Sequence, residues 1–552
     1  MDLRQGTSSV RLGIVGLFAL VTAFAGLWSL PPLDRDEARF AQATVQMLES
    51  EDYIVMRFQD RERNKKPAGI YWLQAASVKL FSSVESREIW VYRIPSMIGV
   101  VIAAIFTALA GARLFDGRTG FLAGLFIASA PLVAAEGTIA KTDGVLLGLI
   151  CVAQFAFLTV YRRTLSTNTG DSKPTGWRWP LVFWLSQGAA ILIKGPIAPL
   201  VALLTGAGLS TGRKRFGWIW PMRPITGVII LLLMISPWAY AIWSATEGRF
   251  FTEAIGNDML GKVGNAQEGH AGGPGYHFIL LWPLFWPATA LVLSGFARAW
   301  GGRDQWNMRF LLAWIIPAWI VFELAGTKLP HYVMPLYPAL AILAAYAATD
   351  IVRNTLPEKI GPIIYCVVGL IAAGLVAALP VFFSDMAMSM LCFGVSGVIA
   401  LATIFITMLY WRKKSYEAGI ASAVLASLYA WTLMTVILPS LSDLAVSPRM
   451  STALELADRH PIRDNQLPVA IAGYSEPSAV FLLGTATKLT NAANAATLLK
   501  TGKVIAAIIE ERHKQEFMFE LAESPVKTLA VIDGLNYSNG KTVTLTIYIR
   551  SF

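Results

Sequence analysis

The stretch "RLGIVGLFALVTAFAGLWSLPPLDRDEARFA" (Arg11–Ala41) holds two kinds of sequence with a sharp border between them. No charge occurs from Leu12 to Leu30, and then five charged residues fall within Asp34–Arg39. An uncharged run of about 20 residues matches a hydrocarbon core roughly 30 Å thick. The basic lead before it could suggest a secretory leader, but the run is long and no small-x-small cleavage pattern ends it. It reads as a retained membrane span, 10–30. The acidic and basic residues that follow then stand at the mouth of that span.

The rest of the chain repeats the first half of this pattern. Of 552 residues, 55% are hydrophobic and 15% charged, against about 25% charged in an ordinary soluble protein. Apolar runs place about thirteen spans, at 10–30, 90–112, 119–135, 143–161, 179–194, 196–211, 222–244, 276–297, 309–326, 332–351, 360–383, 387–411 and 418–440. The fold class is therefore a polytopic α-helical membrane protein. Connections after the even-numbered spans are short and basic: Arg113/Arg118, Arg162/Arg163 with Lys173 and Arg178, Arg213/Lys214/Arg215, Arg298/Arg303/Arg309, Arg353/Lys359 and Arg412/Lys413/Lys414. Positively charged loops stay in the cytoplasm, so that side and the N-terminus are expected there. This absorbs much of the formal charge of +10 and leaves no case for nucleic acid as a partner. Cys151, Cys366 and Cys392 all lie inside apolar runs and read as small hydrophobes.

The other side is expected to carry a long first loop (31–89), with amphipathic helices near 36–50 and 68–82 lying in the interface, and a tail. From about 445 the composition changes. "PVAIAG", "KVIAAII", "TLAVIDG" and "TVTLTIYI" are short β-type runs between helical segments. The organisation is thus a membrane domain, 1–444, and a periplasmic α/β domain, 445–552. No Rossmann or Walker glycine loop and no fixed-period repeat are present.

The charges on that expected outer side are the candidates for chemistry. Asp36, Arg39 and Phe40 share a helix face at i, i+3 and i+4. Asp34 and Asp36 equally suit an ordinary acidic helix start. "NKKPAGIYWL" puts Lys65 and Lys66 before a proline and the aromatic Tyr71, "ILIKGP" puts Lys194 at a span end, and "AGTKLPHYVMPLYP" puts Lys328, His331 and Tyr332 in a turn. "EGTIAKTDGVLLG" crowds Glu136, Lys141 and Asp143 into one short loop. Each lysine alone could be a solvated or snorkelling side chain. Ionisable groups at membrane depth are costly, so a set gathered on one face points to a site. Lys65, Lys66, Lys194, Lys328 and His331 around Asp36 and Glu37 would bind an anionic lipid headgroup and supply a carboxylate for acid–base or electrostatic work. Glu62, His270, His277 and His331 could ligate a divalent metal, though no pair has the compact spacing of a known zinc motif. No cofactor is otherwise indicated. The glycine-rich "EGHAGGPGYH" would suit a mobile cover.

The motifs "DRDEARFA", "KKPAGIYWL", "KGP", "TKLPHYVMPLYPAL" and, in the tail, "YSEPSAVFLLG" together resemble the lipid-carrier-dependent GT-C glycosyltransferases of the protein mannosyltransferase superfamily, in particular the 4-amino-4-deoxy-L-arabinose lipid A transferases. The resemblance covers roughly 10–440. It implies a GT-C fold in a bacterial inner membrane, a polyprenyl (undecaprenyl) phosphate-linked sugar as donor, lipid A or another envelope molecule as acceptor, and surrounding membrane lipids as partners. It implies Asp36 as the catalytic carboxylate with Glu37 beside it, and Lys66 on the donor phosphate, assisted by Lys65, Lys194 and Lys328. Arg39, Tyr71, Asp143, His331 and Tyr332 would contact substrate. Lys65 and Ala38 depart from the family pattern, which tends to a glutamate and a threonine there. Sugar and acceptor stay open, and a protein O-mannosyltransferase or another envelope-glycan transferase is the alternative. A transporter would place its charges near the midplane between repeated halves, a phosphoethanolamine transferase would need a metal-bound nucleophile, and a structural subunit would leave the charged rim without a purpose.

Overall fold

The computed structural model describes residues 8–32, 35–167, 176–211, 216–261, 272–350, 354–382, 385–522 and 524–551, with the side chains of 257–260 left aside. Asp34, Lys173, Arg213, Lys214, Arg215, His270 and Arg353 lie outside the described residues.

Each of the thirteen apolar stretches contains helix among the described residues. The first ten helices are α1 (Ser9–Ala23), α2 (Arg35–Ser50), α3 (Gly69–Phe81), α4 (Ile89–Leu114), α5 (Gly117–Ser129), α6 (Pro131–Gly137), α7 (Asp143–Thr167), α8 (Arg178–Lys194), α9 (Ile197–Ser210) and α10 (Pro224–Thr246). Beyond them come helices Tyr276–Leu284, Thr289–Gly301, Trp306–Leu324, Tyr337–Thr349, Leu356–Ala378, Met386–Trp411 and Ser415–Trp431. Among the described residues, eight helices are long and apolar enough to cross a bilayer, or ten if each of two bent pairs is one span. Thirteen full crossings are therefore more than length alone supports, since α1 and α9 have only 15 and 14 residues.

The discrepancies have local causes. α1 ends at Ala23, not near residue 30, because the carbonyls of Gly26, Leu27, Leu30 and Pro31 are drawn to the Arg93 guanidinium of α4. The expected span 119–135 breaks by 63° between α5 and α6, where Pro131 opens the second helix, and 276–297 breaks by 86° at Trp286–Ala288. Proline supplies no amide hydrogen and crowds the preceding turn, so such kinks are expected next to Pro131, Pro283 and Pro287.

The core of the bundle packs through small residues, as helices without a hydrophobic driving force in lipid tend to do. α4 and α7 touch backbone to backbone: a Cβ on Gly99 would lie 2.3 Å from the Gly144 carbonyl oxygen, and one on Gly148 would lie 2.6 Å from that of Gly99. By contrast α10 shows most of its surface, with Leu232, Leu233, Tyr240 and Trp243 exposed, as a lipid-facing helix should.

The first loop holds α2, a two-stranded hairpin of β1 (Arg57–Phe58) and β2 (Arg61–Glu62), and α3. α2 is not a surface helix lying open in the interface. Phe40, Gln42, Thr44, Val45 and Leu48 are all buried. Thr44 donates to Gln74 of α3 at 2.7 Å, while Gln42 donates to Thr485 of the tail at 2.8 Å, so the helix is covered on two sides.

The tail forms a five-stranded sheet in the order β4-β3-β5-β7-β6, from β3 (Val469–Ala472), β4 (Lys488–Leu489), β5 (Ala506–Glu510), β6 (Val526–Asn536) and β7 (Lys541–Arg550). β3 pairs parallel with β4 and β5, and β7 pairs antiparallel with β5 and β6. Alternate residues feed two cores. Val469, Ile471 and Ile508 join Met450 and Leu454 on one face, and Ala470, Ala507 and Ile509 join Leu499 and Phe517 on the other. Helices on both faces of a mixed sheet match the α/β reading. β4 escaped it because two residues show no periodicity.

Candidate functional site

The site is built where α2, the loop before α3, the loop between α6 and α7, the end of α8 and the turn 327–331 meet. Asp36 lies in the first turn of α2, where its charge suits the helix N-terminus. Its side chain is 58% exposed. Arg39 reaches it at 3.3 Å, one turn on, and Arg63 reaches it at 3.9 Å from the loop. Arg63 is itself held in place. Its Nε donates to the Tyr71 hydroxyl at 3.3 Å, and its guanidinium lies over the Phe40 ring. Burial pulls the Asp36 pKa up, but Arg63, Arg39 and Lys141 together outweigh it and hold the carboxyl below its ordinary value. Asp36 is thus a stable anion that still meets solvent.

Glu37, the neighbouring acid, is placed otherwise. Only 1% exposed, it receives the Arg93 guanidinium in a two-pronged contact, Nε to Oε1 and Nη2 to Oε2, each 2.8 Å. Oε1 also accepts the Ala140 amide at 2.8 Å. A bidentate buried pair of this kind is rigid, and breaking it costs about 3–5 kcal/mol. Glu37 is beside Asp36 in sequence but faces the protein interior, so its geometry is that of a tie between α2, α4 and the α6–α7 loop.

A second charged group adjoins the first. Asp143 opens α7, and Lys194, the last residue of α8, contacts its Oδ1 at 2.5 Å. His331 lies between two carboxylates, with Nε2 3.9 Å from Asp143 and Nδ1 3.6 Å from Glu136. Lys141 reaches Glu136 at 3.4 Å and acts electrostatically on Asp36, which links the two groups. The Tyr332 ring meets His331 edge to face, with centroids 5.4 Å apart. Of the residues read from sequence, the structure therefore brings together Asp36, Arg39, Tyr71, Asp143, Lys194, His331 and Tyr332. Lys65 and Lys66 follow Arg63 in the same tight turn, where the Lys65 amide donates to the Arg63 carbonyl at 3.0 Å. Tyr71 is fully buried; burial pushes its hydroxyl pKa up, and it backs Arg63.

Other candidates have different partners. Lys328 donates to the Gly272 carbonyl at 2.8 Å and so ties down the end of the 245–275 connection. Glu62 meets Arg249 at 3.0 Å and Asn64 at 3.0 Å. His277 is buried between the Glu323 carboxylate at 2.9 Å and the Leu329 carbonyl at 3.2 Å. Among the described residues no three His, Cys, Asp or Glu side chains are grouped to hold a metal ion. His270 lies outside those residues.

Sequence reading passed over Arg63, Arg93, Arg249 and Glu323. Arg93 and Glu323 carried a usable signal, since each is an ionisable residue inside an otherwise apolar stretch, "WVYRIPSM" and "WIVFELAG". Arg63 and Arg249 sit in charged or polar connections, where nothing in the pattern separates them from solvated neighbours.

Comparison with known proteins agrees with this architecture. The family model described as dolichyl-phosphate-mannose-protein mannosyltransferase matches residues 65–243. An undecaprenyl phosphate-alpha-4-amino-4-deoxy-L-arabinose arabinosyl transferase of Pseudomonas paraeruginosa is 27% identical over 64% of this chain and 61% of its own length. One from an Enterobacter species is 26% identical over 68% of this chain and 65% of its own. The aligned part thus spans a little under two thirds of these relatives. The crystal structure of ArnT from Cupriavidus metallidurans bound to undecaprenyl phosphate covers 97% of this chain and 98% of its own, with a TM-score of 0.76 at 18% identity. At that similarity the two chains share an overall fold.

Proposed function

With the fold of that transferase as the premise, we propose that this chain is a GT-C type glycosyltransferase. It moves a sugar from an undecaprenyl or related polyprenyl phosphate carrier to an acceptor at the periplasmic face of a bacterial inner membrane. The best-supported sugar is 4-amino-4-deoxy-L-arabinose, because the relatives bear that sugar in their names; lipid A is the acceptor that the motif resemblance implies. In this reading the N-terminus is cytoplasmic, residues 1–444 form the membrane domain, and the site and the domain 445–552 are periplasmic.

One observation carries the proposal: a solvent-reaching carboxylate, Asp36, held ionised by Arg39, Arg63 and Lys141 at the rim of a helical membrane bundle. The donor's leaving group is a polyprenyl phosphate, which departs readily once its growing charge is met. Lys66 and Lys65 stand next to Arg63 and meet that charge, as preorganised cations do. Lys194 is charge-balanced by Asp143, which His331 also approaches, and the three side chains fix one another beside that cluster. Asp36 orients the acceptor and, where the acceptor is a hydroxyl, takes its proton. Where it is a lipid A phosphate, already anionic, Asp36 positions it. A single displacement inverts the anomeric carbon.

The test is turnover of purified protein with undecaprenyl-phosphate aminopentose and lipid A, beside lipid A mass profiles of cells with and without the chain. A gain of one aminopentose that vanishes in Asp36→Asn and Lys66→Ala supports the reading. Near-normal turnover in both variants removes it. The match to the mannosyltransferase model favours one other outcome, a hexose added to protein.

A further inference from the structure

Glu37 and Arg93 join four separate pieces of chain. Arg93 belongs to α4 and gathers the carbonyls of Gly26, Leu27, Leu30 and Pro31 at the end of the first span. Glu37 belongs to α2, and its Oε1 takes the Ala140 amide of the α6–α7 loop. The same loop is held at two further points: Gln74 of α3 donates to the Ala140 carbonyl at 3.2 Å, and Ser96 of α4 donates to the Lys141 carbonyl at 3.0 Å. The positions matter. Glu37 follows Asp36 by one residue, and Ala140 precedes Lys141 by one. The hydrogen bond from Ala140 to Glu37 therefore fixes the backbone beneath the anion against the backbone beneath the cation.

We propose that Glu37 and Arg93 are a positioning pair that sets Lys141 against Asp36, and that Lys141 belongs to the catalytic pocket. The inference rests on the transferase reading above. Without the pair, α2 loses its anchor to α4 and the loop loses the acceptor for Ala140, so the distance from Lys141 to Asp36 widens. Groups facing Asp36 are then Arg39 on its own helix, Arg63 from the loop before α3, and Tyr71 and His331 from α3 and the 327–331 turn, with the Lys141 contribution weakened. A carboxylate with one less cation near it takes up a proton at higher pH. Misplacement by about 1 Å in a preorganised site costs on the order of 10²-fold in rate.

The experiment compares the full chain in nanodiscs with Glu37→Gln, Arg93→Lys, Lys141→Met and the double variant Glu37→Gln/Lys141→Met. Two readouts are taken. One is the pH profile of kcat and KM with undecaprenyl-phosphate aminopentose. The other is the titration of the Asp36 carboxyl by infrared difference against Asp36→Asn, which needs no turnover. Glu37→Gln is expected to lower kcat about 10- to 100-fold with donor KM changed less than about threefold; the weakened Lys141 contact, which raises the Asp36 titration, is expected to outweigh the lost Glu37 charge, which lowers it, so both the acidic limb and the carboxyl titration move to higher pH. Lys141→Met should move them the same way, and the double variant no further, since coupled residues acting through one contact are not additive. Arg93→Lys keeps the charge but not the fork, and gives the same shift in a milder form. It serves where Glu37→Gln does not fold. Folded variants with unmoved titrations, or a double variant whose shift is the sum of the singles, overturn the pair's role. An unmoved titration with only a lower yield of folded protein means a purely structural tie and also overturns it. Should the wild type lack turnover while the infrared shift appears, the transferase reading fails and the positioning pair stands.

Discussion

Two charged clusters mark opposite ends of the helix Tyr337–Thr349. Past its C-terminal end, Arg298 contacts Asp350 at 2.9 Å and Glu358 at 2.6 Å, and Glu358 also closes a capping box with Thr355 at the start of the next helix. Ahead of its N-terminal end, His331 belongs to the rim with Glu136, Lys141, Asp143, Lys194 and Asp36. The residue types are the same, and so is the cost of bringing them out of water. The difference is access. Arg298 is buried between its two acids, and what it does is hold three helix ends together. At the rim an anion reaches solvent among several cations, an arrangement that adds little to stability and remains open to a substrate. Ionisable residues near a membrane core are therefore a weak guide to chemistry until their partners are known.

The sharpest way to break this contrast is to remove one charge from each cluster. Asp36→Asn should lower kcat by about 10²–10⁴-fold with the melting temperature little changed, checked by turnover and thermal unfolding on the same sample. Arg298→Ala should do the reverse. It takes the arginine away from Asp350 and Glu358, and stability falls by about 3 kcal/mol, the low end for a broken buried pair because Asp350 keeps some solvent contact and Glu358 keeps the Thr355 amide. The kcat per folded molecule should hold. A catalytic loss in Arg298→Ala larger than the stability loss would erase the distinction.

A third, smaller test uses His460 of the tail. It is buried, its Nε2 is 3.0 Å from the Ser451 hydroxyl, and its Nδ1 accepts the amides of Ile462 and Arg463. Burial, aided by Arg463 and opposed by Glu455 and Asp464, lowers its pKa from the ordinary 6.5. The folded tail holds it neutral while the unfolded chain binds a proton, so the stability it contributes is complete above pH 6.5 and is lost as pH falls below that toward the folded value. The unfolding midpoint should drop between pH 6.5 and 5 in the wild type and much less in His460→Gln, followed by circular dichroism of the full chain. The weakest expected effect is Glu455→Ala. Its pair with Arg463 is surface-exposed, and removing it should change stability by no more than about 0.5 kcal/mol.

The fold was largely legible because its main signals are long and repetitive. Apolar runs located the long helices of the bundle but not the helical turns at Arg249–Phe251 and Thr252–Leu260, and β-type runs located β3, β5, β6 and β7. What escaped was decided by single contacts. Nothing in "LVTAFAGLWSL" says that α1 stops at Ala23, since the cause is Arg93, some seventy residues on. The site was legible to the level of segments: the loops named from sequence do meet. It was not legible to the level of roles. Asp36 and Glu37 are adjacent and alike in type, yet one faces solvent and the other an arginine, because a helix turns about 100° per residue. Lys328 looked like its fellow lysines and instead caps a backbone carbonyl.

The tail is tied to the helix that carries Asp36 through Arg87, which bonds Gln42, Glu49 and the Phe481 carbonyl, and through the bonds of Gln59 to the carbonyls of Thr485 and Thr487. A chimera that grafts another protein's ending onto this bundle would leave those donors facing strangers. In evolution, then, the amino-terminal hairpin and the carboxy-terminal sheet should drift as a matched set, each accepting only changes the other can answer.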